Sequence, residues 1–137
     1  MRRLLLDTGI AGDFINRRRG VYERARQEVA QGNRVGIGMP VLAELAFGIE
    51  LSKSRERNMQ ALRSALAAWR VWPFDEAAAF EYGRLAAELR RIGRSMQSID
   101  IMIAAIALSL GNCTVISADS DLQAVPGLSV ENWVAGL

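Results

Sequence analysis

The apolar run Leu4-Leu5-Leu6 stops abruptly at Asp7, the pattern of a strand buried on both faces and ending at an acidic residue. Thr8-Gly9 reads as a turn, and Ile10, Phe14 and Ile15 follow at helical spacing before the polar stretch Asn16 to Gly20. Val21 to Gln31 continues as a helix closed by Gly32 and Asn33, and Val35 to Gly38 reads as a second strand. Pro40 suits the first turn of a helix on which Val41, Leu42, Leu45, Ala46 and Ile49 recur at spacings of three and four, with Glu44 among them. A further helix is expected from about Ser54 to Trp69, with Met59, Leu62, Ala65, Leu66 and Trp69 on one face.

The second half repeats the alternation. Val71 to Phe74 reads as a short strand that Pro73 confines to an edge or an end, and Asp75 caps a helix that runs to about Ile92 and stops at Gly93. Ser98-Ile99-Asp100 opens a very apolar helix, Ile101 to Leu110, ended by Gly111 and Asn112 and expected in the middle of the fold. Cys113 to Ile116 is the next strand, with Ser117-Ala118-Asp119 at its carboxyl end; Leu128 to Glu131 is a last strand after the Pro126-Gly127 turn. Helices alternating with short apolar strands predict an α/β fold with a parallel β-sheet flanked by helices.

Composition narrows the class. The 137 residues, 50% of them hydrophobic, suit one domain with one core, and no repeat or linker divides them. Net charge is only +2, so charge balance alone does not argue for nucleic acid. Lys53 is the sole lysine beside 16 arginines, a bias that favours planar contacts to phosphate or carboxylate and that high genomic GC content produces equally well. Cys113 is the single cysteine, which excludes an intrachain disulfide and suits a reducing compartment. Arg2 and Arg3 precede too short an apolar stretch for a signal peptide, and Ile101 to Leu110 is too short to span a bilayer, so a cytoplasmic protein with no membrane partner is expected.

The candidate chemistry lies in Asp7, Glu44, Asp100 and Asp119, each beside a strand end or a helix start. In an open parallel sheet a ligand sits at the carboxyl ends of the strands, where Asp7 and Asp119 are expected. Carboxylates gathered there repel one another and call for a divalent cation. Oxygen ligands in a chain without histidine select Mg²⁺ or Mn²⁺, and the absence of histidine excludes His general-base and Ser-His-Asp chemistry. Each acid also has a plainer role: Asp7 and Asp100 as helix caps, Asp119 as the start of a turn to Asp121. Glu44, between Ala43 and Leu45, is harder to explain that way.

Four fragments in order carry a family resemblance: Leu4-Leu5-Leu6-Asp7-Thr8; Pro40 to Leu45 with Gly48; Ser98 to Ala107; and Val115-Ile116-Ser117-Ala118-Asp119 leading to Val125-Pro126-Gly127-Leu128 and Val130-Glu131-Asn132-Trp133. The chain resembles PIN-domain proteins of the VapC toxin type over nearly its whole length. The resemblance implies an Mg²⁺-dependent endoribonuclease, Mn²⁺ being an alternative ion, in which Asp7, Glu44, Asp100 and Asp119 form the acidic quartet. Asp7 and Asp100 would be its firmest ligands, Thr8 and Ser117 polar supports, and Asp121 the alternate to Asp119. Two departures, Ser117 where Thr is frequent and Leu122 where Phe is, leave every carboxylate in place. It also implies two partners besides RNA: a second copy of the chain, and a VapB-type antitoxin whose arginine pairs with the carboxylates.

Two arginine clusters could track an RNA backbone: Arg90, Arg91 and Arg94, close to Asp100 in sequence, and Arg17-Arg18-Arg19, for which a solvated rim is the readier reading. Arg84, Arg90 and Arg91 also have Glu81 and Glu88 as helix-spaced partners. Trp69, Trp72 and Phe74 suit packing better than base stacking. Phe47, Ile49, Leu51, Met59 and Leu62 are candidates for apolar partner surface. Two other classes stay open: a haloacid-dehalogenase-like phosphohydrolase with Asp7 as nucleophile, although Gly9 stands where that family needs a second Asp, and a non-catalytic interaction module.

Overall fold

Five strands run parallel in one sheet: β1 (Arg3–Leu6), β2 (Arg34–Gly38), β3 (Arg70–Trp72), β4 (Cys113–Ile116) and β5 (Ser129–Glu131), in the spatial order β3-β2-β1-β4-β5. The computed structural model describes residues 1–136. Helices α1 (Thr8–Ile15), α2 (Val21–Ala30), α3 (Met39–Glu50), α4 (Arg55–Ala68), α5 (Glu76–Arg91), α6 (Ser98–Leu110) and the single turn α7 (Ser120–Gln123) supply the crossovers.

The continuous apolar strand β1 sits where its composition requires, at the centre. Leu4, Leu5 and Leu6 are fully buried, with β2 on one side and β4 on the other. From β1 the chain builds outward through β2 to β3, then returns to the other side of β1 for β4 and β5. The order therefore reverses at β1 and β4, and a crevice opens beyond their carboxyl ends, where Asp7 and Ser117 follow directly. That reversal is what positions the site. No helix of the described residues is long and apolar enough to cross a membrane.

Most of the expected elements form within a residue or two of their expected bounds. β3 is an edge strand that ends at Trp72, before Pro73. The Asp75 carboxylate accepts the Ala78 amide at 3.0 Å and starts α5, and Gly93 and Gly111 take positive φ just beyond α5 and α6. α6 buries Ile101 and Ile103 to Ala107, as its apolar composition demands. Trp69 and Trp72 are buried, with Trp69 against Phe14 at 5.0 Å between ring centroids.

The turn expected from Asp119 to Asp121 forms, the Asp119 carboxylate accepting the Asp121 amide, and it continues as the single helical turn α7. Three expectations need correction. Thr8-Gly9 is not a turn: the Asp7 carboxylate accepts the Ile10 amide at 2.8 Å, so α1 begins at Thr8. Leu62 is buried in the core and leaves no partner surface, and Leu128 precedes β5 rather than opening it.

Candidate functional site

The crevice at the strand reversal is a cleft of about 290 Å³ lined by Asp7, Thr8, Gly9, Ile10, Arg19, Glu44, Gln97, Ile99, Asp100, Ala118 and Asp119. All four acids singled out in the sequence thus face one cavity, although 112 residues separate the first from the last (119 − 7). Asp7 arrives from the end of β1, Glu44 from the second turn of α3, Asp100 from the first turn of α6, and Asp119 from the loop after β4.

Two of the carboxylates are committed to their own backbone. Asp7 is buried; one oxygen caps α1 and the other accepts the Ser117 hydroxyl at 2.5 Å. The same Ser117 oxygen accepts the Asp119 amide at 2.9 Å, so this fully buried serine ties the ends of β1 and β4 together. Asp119 in turn accepts the Asp121 amide at 2.8 Å. Asp100 and Glu44 have no such engagement: Gln97 is the cap residue of α6, and among the described residues neither carboxylate accepts a hydrogen bond.

The electrostatics follow from that crowding. Burial pushes the Asp7 carboxyl above the ordinary carboxylate range, against the hydrogen bonds from Ser117 and the Ile10 amide, and the Asp119 and Asp13 charges push the same way. Asp100 is pushed up to about 6, first by burial, then by the charges of Asp119, Asp7, Glu44 and Asp121. A site that raises its own carboxyls in this manner favours a bound cation. The donors are all oxygen, and the Thr8 hydroxyl is buried here without a hydrogen-bond partner. Both features fit a hard divalent ion with its coordinated waters. Among the described residues no three His, Cys, Asp or Glu side chains stand close enough together to hold a metal ion as they are placed.

Asp121 lies outside the cleft lining and takes the Arg94 guanidinium at 3.0 Å. Arg90 and Arg94 line a neighbouring groove of about 680 Å³ between α5 and α6, whereas Arg91 lines neither cavity. Arg84 takes both Glu81 and Glu88, so Arg90 and Arg91 make no ion pair among the described residues. Arg19 belongs to the arginine tract given the weaker claim to RNA, and it is the member of that tract that lines the cleft. The tract Arg17 to Arg19 reads as a rim, yet Arg19 turns into the cleft and pairs with Asp13 at 2.7 Å. The available signal was Asp13 itself, an acid on the apolar face of α1 that needs a partner of opposite charge.

Residues 4–128 match the model of the PIN domain. The chain belongs to the PIN-domain family. Within it this PIN domain is of the VapC type: it is 34% identical over 133 residues to the tRNA(fMet)-specific endonuclease VapC of Shigella flexneri, covering 97% of this chain and 99% of that protein. It is 31% identical over 129 residues to ribonuclease VapC2 of Rickettsia felis, covering 94% and 96%. Its fold superposes on the Rickettsia felis VapBC2 complex bound to a promoter DNA fragment with a TM-score of 0.88 at 30% identity, covering 96% of this chain and 98% of that one. DNA-bound VapBC from Salmonella typhimurium gives the same score and identity over 97% and 99%. A match across 4–128 leaves no place for the haloacid-dehalogenase-like alternative.

Proposed function

We propose that this PIN domain is the toxin of a type II toxin–antitoxin pair and a divalent-metal-dependent endoribonuclease that uses Mg²⁺, or Mn²⁺ in its place. The observation that carries the reading is the convergence of Asp7, Glu44, Asp100 and Asp119 on one cleft in which Asp100 is pushed up to about 6. Asp7 and Asp100 are assigned to hold the ion, with Glu44 and Asp119 completing its shell through water or orienting the attacking water. A cation bound there supplies charge neutralisation at the scissile phosphate and a lowered pKa for that water.

The remaining work falls to the chain. Ser117 fixes Asp7 by its hydroxyl and the Asp119 loop by its oxygen, so both acids are aimed by one buried side chain. Glu44 is exposed on α3 and accepts no hydrogen bond among the described residues, which leaves it available to orient water at the solvent side of the cleft. The Thr8 hydroxyl is free to donate to a ligand oxygen. Asp121, held by Arg94, is assigned to shaping the loop rather than to the ion.

Partners follow from the surface of α3, of which only Val41 is buried. Phe47 and Leu51 are 66% and 73% exposed, and Met39 is 47% exposed at the start of the same helix. Apolar side chains left in water in this way suit a second copy of the chain and a VapB-type antitoxin, whose arginine would pair with the cleft carboxylates.

Proton competition tests the ligand set. A carboxyl must be ionised to hold the ion, so a group at about 6 starts to lose ion affinity as the pH falls below that value. Mn²⁺ titrations followed by calorimetry are expected to show constant affinity from pH 7 to 8, then a loss of roughly tenfold for each pH unit below 6. An affinity that is flat down to pH 4.5 would place the ion elsewhere.

A further inference from the structure

α1 carries Asp13 on its buried face with Ile10, Ala11 and Phe14, where an unpaired carboxylate is costly. The chain supplies its partner through a short turn. Asn16 ends the helix, Arg17 and Arg19 take φ of 54°, Gly20 takes 72°, and the Arg18 amide donates to the Asp13 carbonyl at 2.8 Å. Left-handed backbone is strained for residues other than glycine, so the surrounding contacts hold this turn in place. It places the three arginines differently. Arg17 stacks on Tyr22, 3.4 Å from the ring centroid, at a separate cavity, while Arg19 swings back to the acidic cleft.

Arg19 donates through Nε and Nη2 to the same Asp13 oxygen, at 3.0 and 2.7 Å. Its Nη1 is uncommitted among the described hydrogen bonds, and its side chain remains 50% exposed. Among the described residues it is the one basic side chain lining the cleft, and it makes no ion pair there with Asp7, Glu44, Asp100 or Asp119. Both bonds to Asp13 leave Arg19 at the wall of the acidic cleft with donors to spare.

We propose that Arg19 is a substrate-binding residue, held by Asp13 so that its free N–H groups grip a backbone phosphate of the RNA strand as it enters the acidic cleft. The inference rests on the ribonuclease reading and adds to it the residue that makes an acidic cleft receptive to a polyanion. Arg is the side chain for that task, because one edge of the guanidinium pairs with Asp13 while another remains for a phosphate oxygen. Asp13 is a positioning residue. The alternative is that Arg19 does no more than neutralise Asp13.

The test compares wild type with Arg19→Ala, Arg19→Lys and Asp13→Asn, on a single-stranded RNA that wild type cleaves. Loss of one charge-assisted phosphate contact is expected to raise KM about tenfold in Arg19→Ala, less in Arg19→Lys, and to lower the salt dependence of binding by about one phosphate. kcat should stay within about threefold of wild type, and Mn²⁺ affinity should hold or improve, since a positive charge leaves the site. Asp13→Asn should raise KM in the same direction through loss of the anchor. Binding of labelled RNA by fluorescence anisotropy in an Asp100→Asn background should weaken by the same factor when Arg19→Ala is added. Where Arg19→Ala fails to fold, Arg19→Lys, which keeps a charge beside Asp13, carries the comparison. A folded variant with unchanged KM and RNA affinity overturns the proposal, as does a defect confined to thermal stability. Absence of cleavage by wild type is a separate failure, that of the ribonuclease reading.

Discussion

Asp100→Asn is expected to abolish RNA cleavage, by at least about a thousandfold, and at the same time to raise the melting temperature of the metal-free protein. The first effect follows from removing a proposed ligand, a carboxylate that lines the cleft and accepts no hydrogen bond among the described residues. The second follows from linkage. A carboxyl at about 6 in the folded protein, against 3.8 ordinarily, means that the native state holds its proton more tightly than the unfolded chain does. Stability therefore falls as the pH rises through that interval, and the full penalty is present at pH 7 and above. The displacement corresponds to about 3 kcal/mol, which solvent screening of a half-buried group reduces to about 1 kcal/mol. Asparagine keeps the shape and removes the charge, so in EDTA at pH 7.5 the variant should melt about 3 °C higher. At pH 4, where Asp100 is already protonated in the native state, the gap should close. A variant that melts lower at pH 7.5, or still cleaves, contradicts the account.

The largest loss of stability is expected from Gly36→Ala. Gly36 pairs with Leu5 on one side and Arg70 on the other. A Cβ there would lie 1.9 Å from the Arg70 carbonyl oxygen, 2.6 Å from its carbon and 2.8 Å from the Arg70 nitrogen. All three are backbone atoms, so no side chain can move aside, and relief requires that β3 detach from β2. β3 is a three-residue edge strand, and losing it uncovers Trp72. The cost should reach about 3 kcal/mol or more, roughly 10 °C in melting temperature. Gly83→Ala is the control: it lies inside α5 with open space around its Cβ position, and should be neutral or stabilising by up to about 1 kcal/mol. Equal effects from the two substitutions would contradict the close approach of β2 and β3.

What was legible in the chain is what local patterning controls. Leu4-Leu5-Leu6 announces a central strand, Pro73 an edge, and Asp75 a helix start, because each rests on a few adjacent residues. The four acids were legible as candidates because Asp7, Asp100 and Asp119 sit at element ends, where an α/β fold gathers its ligands. Long-range pairing was not legible. The order β3-β2-β1-β4-β5 depends on which strands choose one another, and β1, β2 and β4 are each apolar enough to pair with several. The inward turn of Arg19 was hidden for a similar reason. Three successive arginines look alike in sequence, and only the left-handed residues and the buried Asp13 decide which one faces the cleft. Asp119 and Asp121 are equally acidic, and their separation, one in the cleft and one paired with Arg94, comes from a residue 27 positions away from Asp121.

All of this turns on whether distant carboxylates share an ion. Crystals of the wild-type chain soaked in Mn²⁺ and measured for anomalous scattering give the most direct answer. Anomalous density within bonding distance of both Asp7 and Asp100, with Glu44 and Asp119 facing it, is the predicted result. An empty cleft, or Mn²⁺ bound only at surface acids such as Glu81 and Glu88, would contradict it.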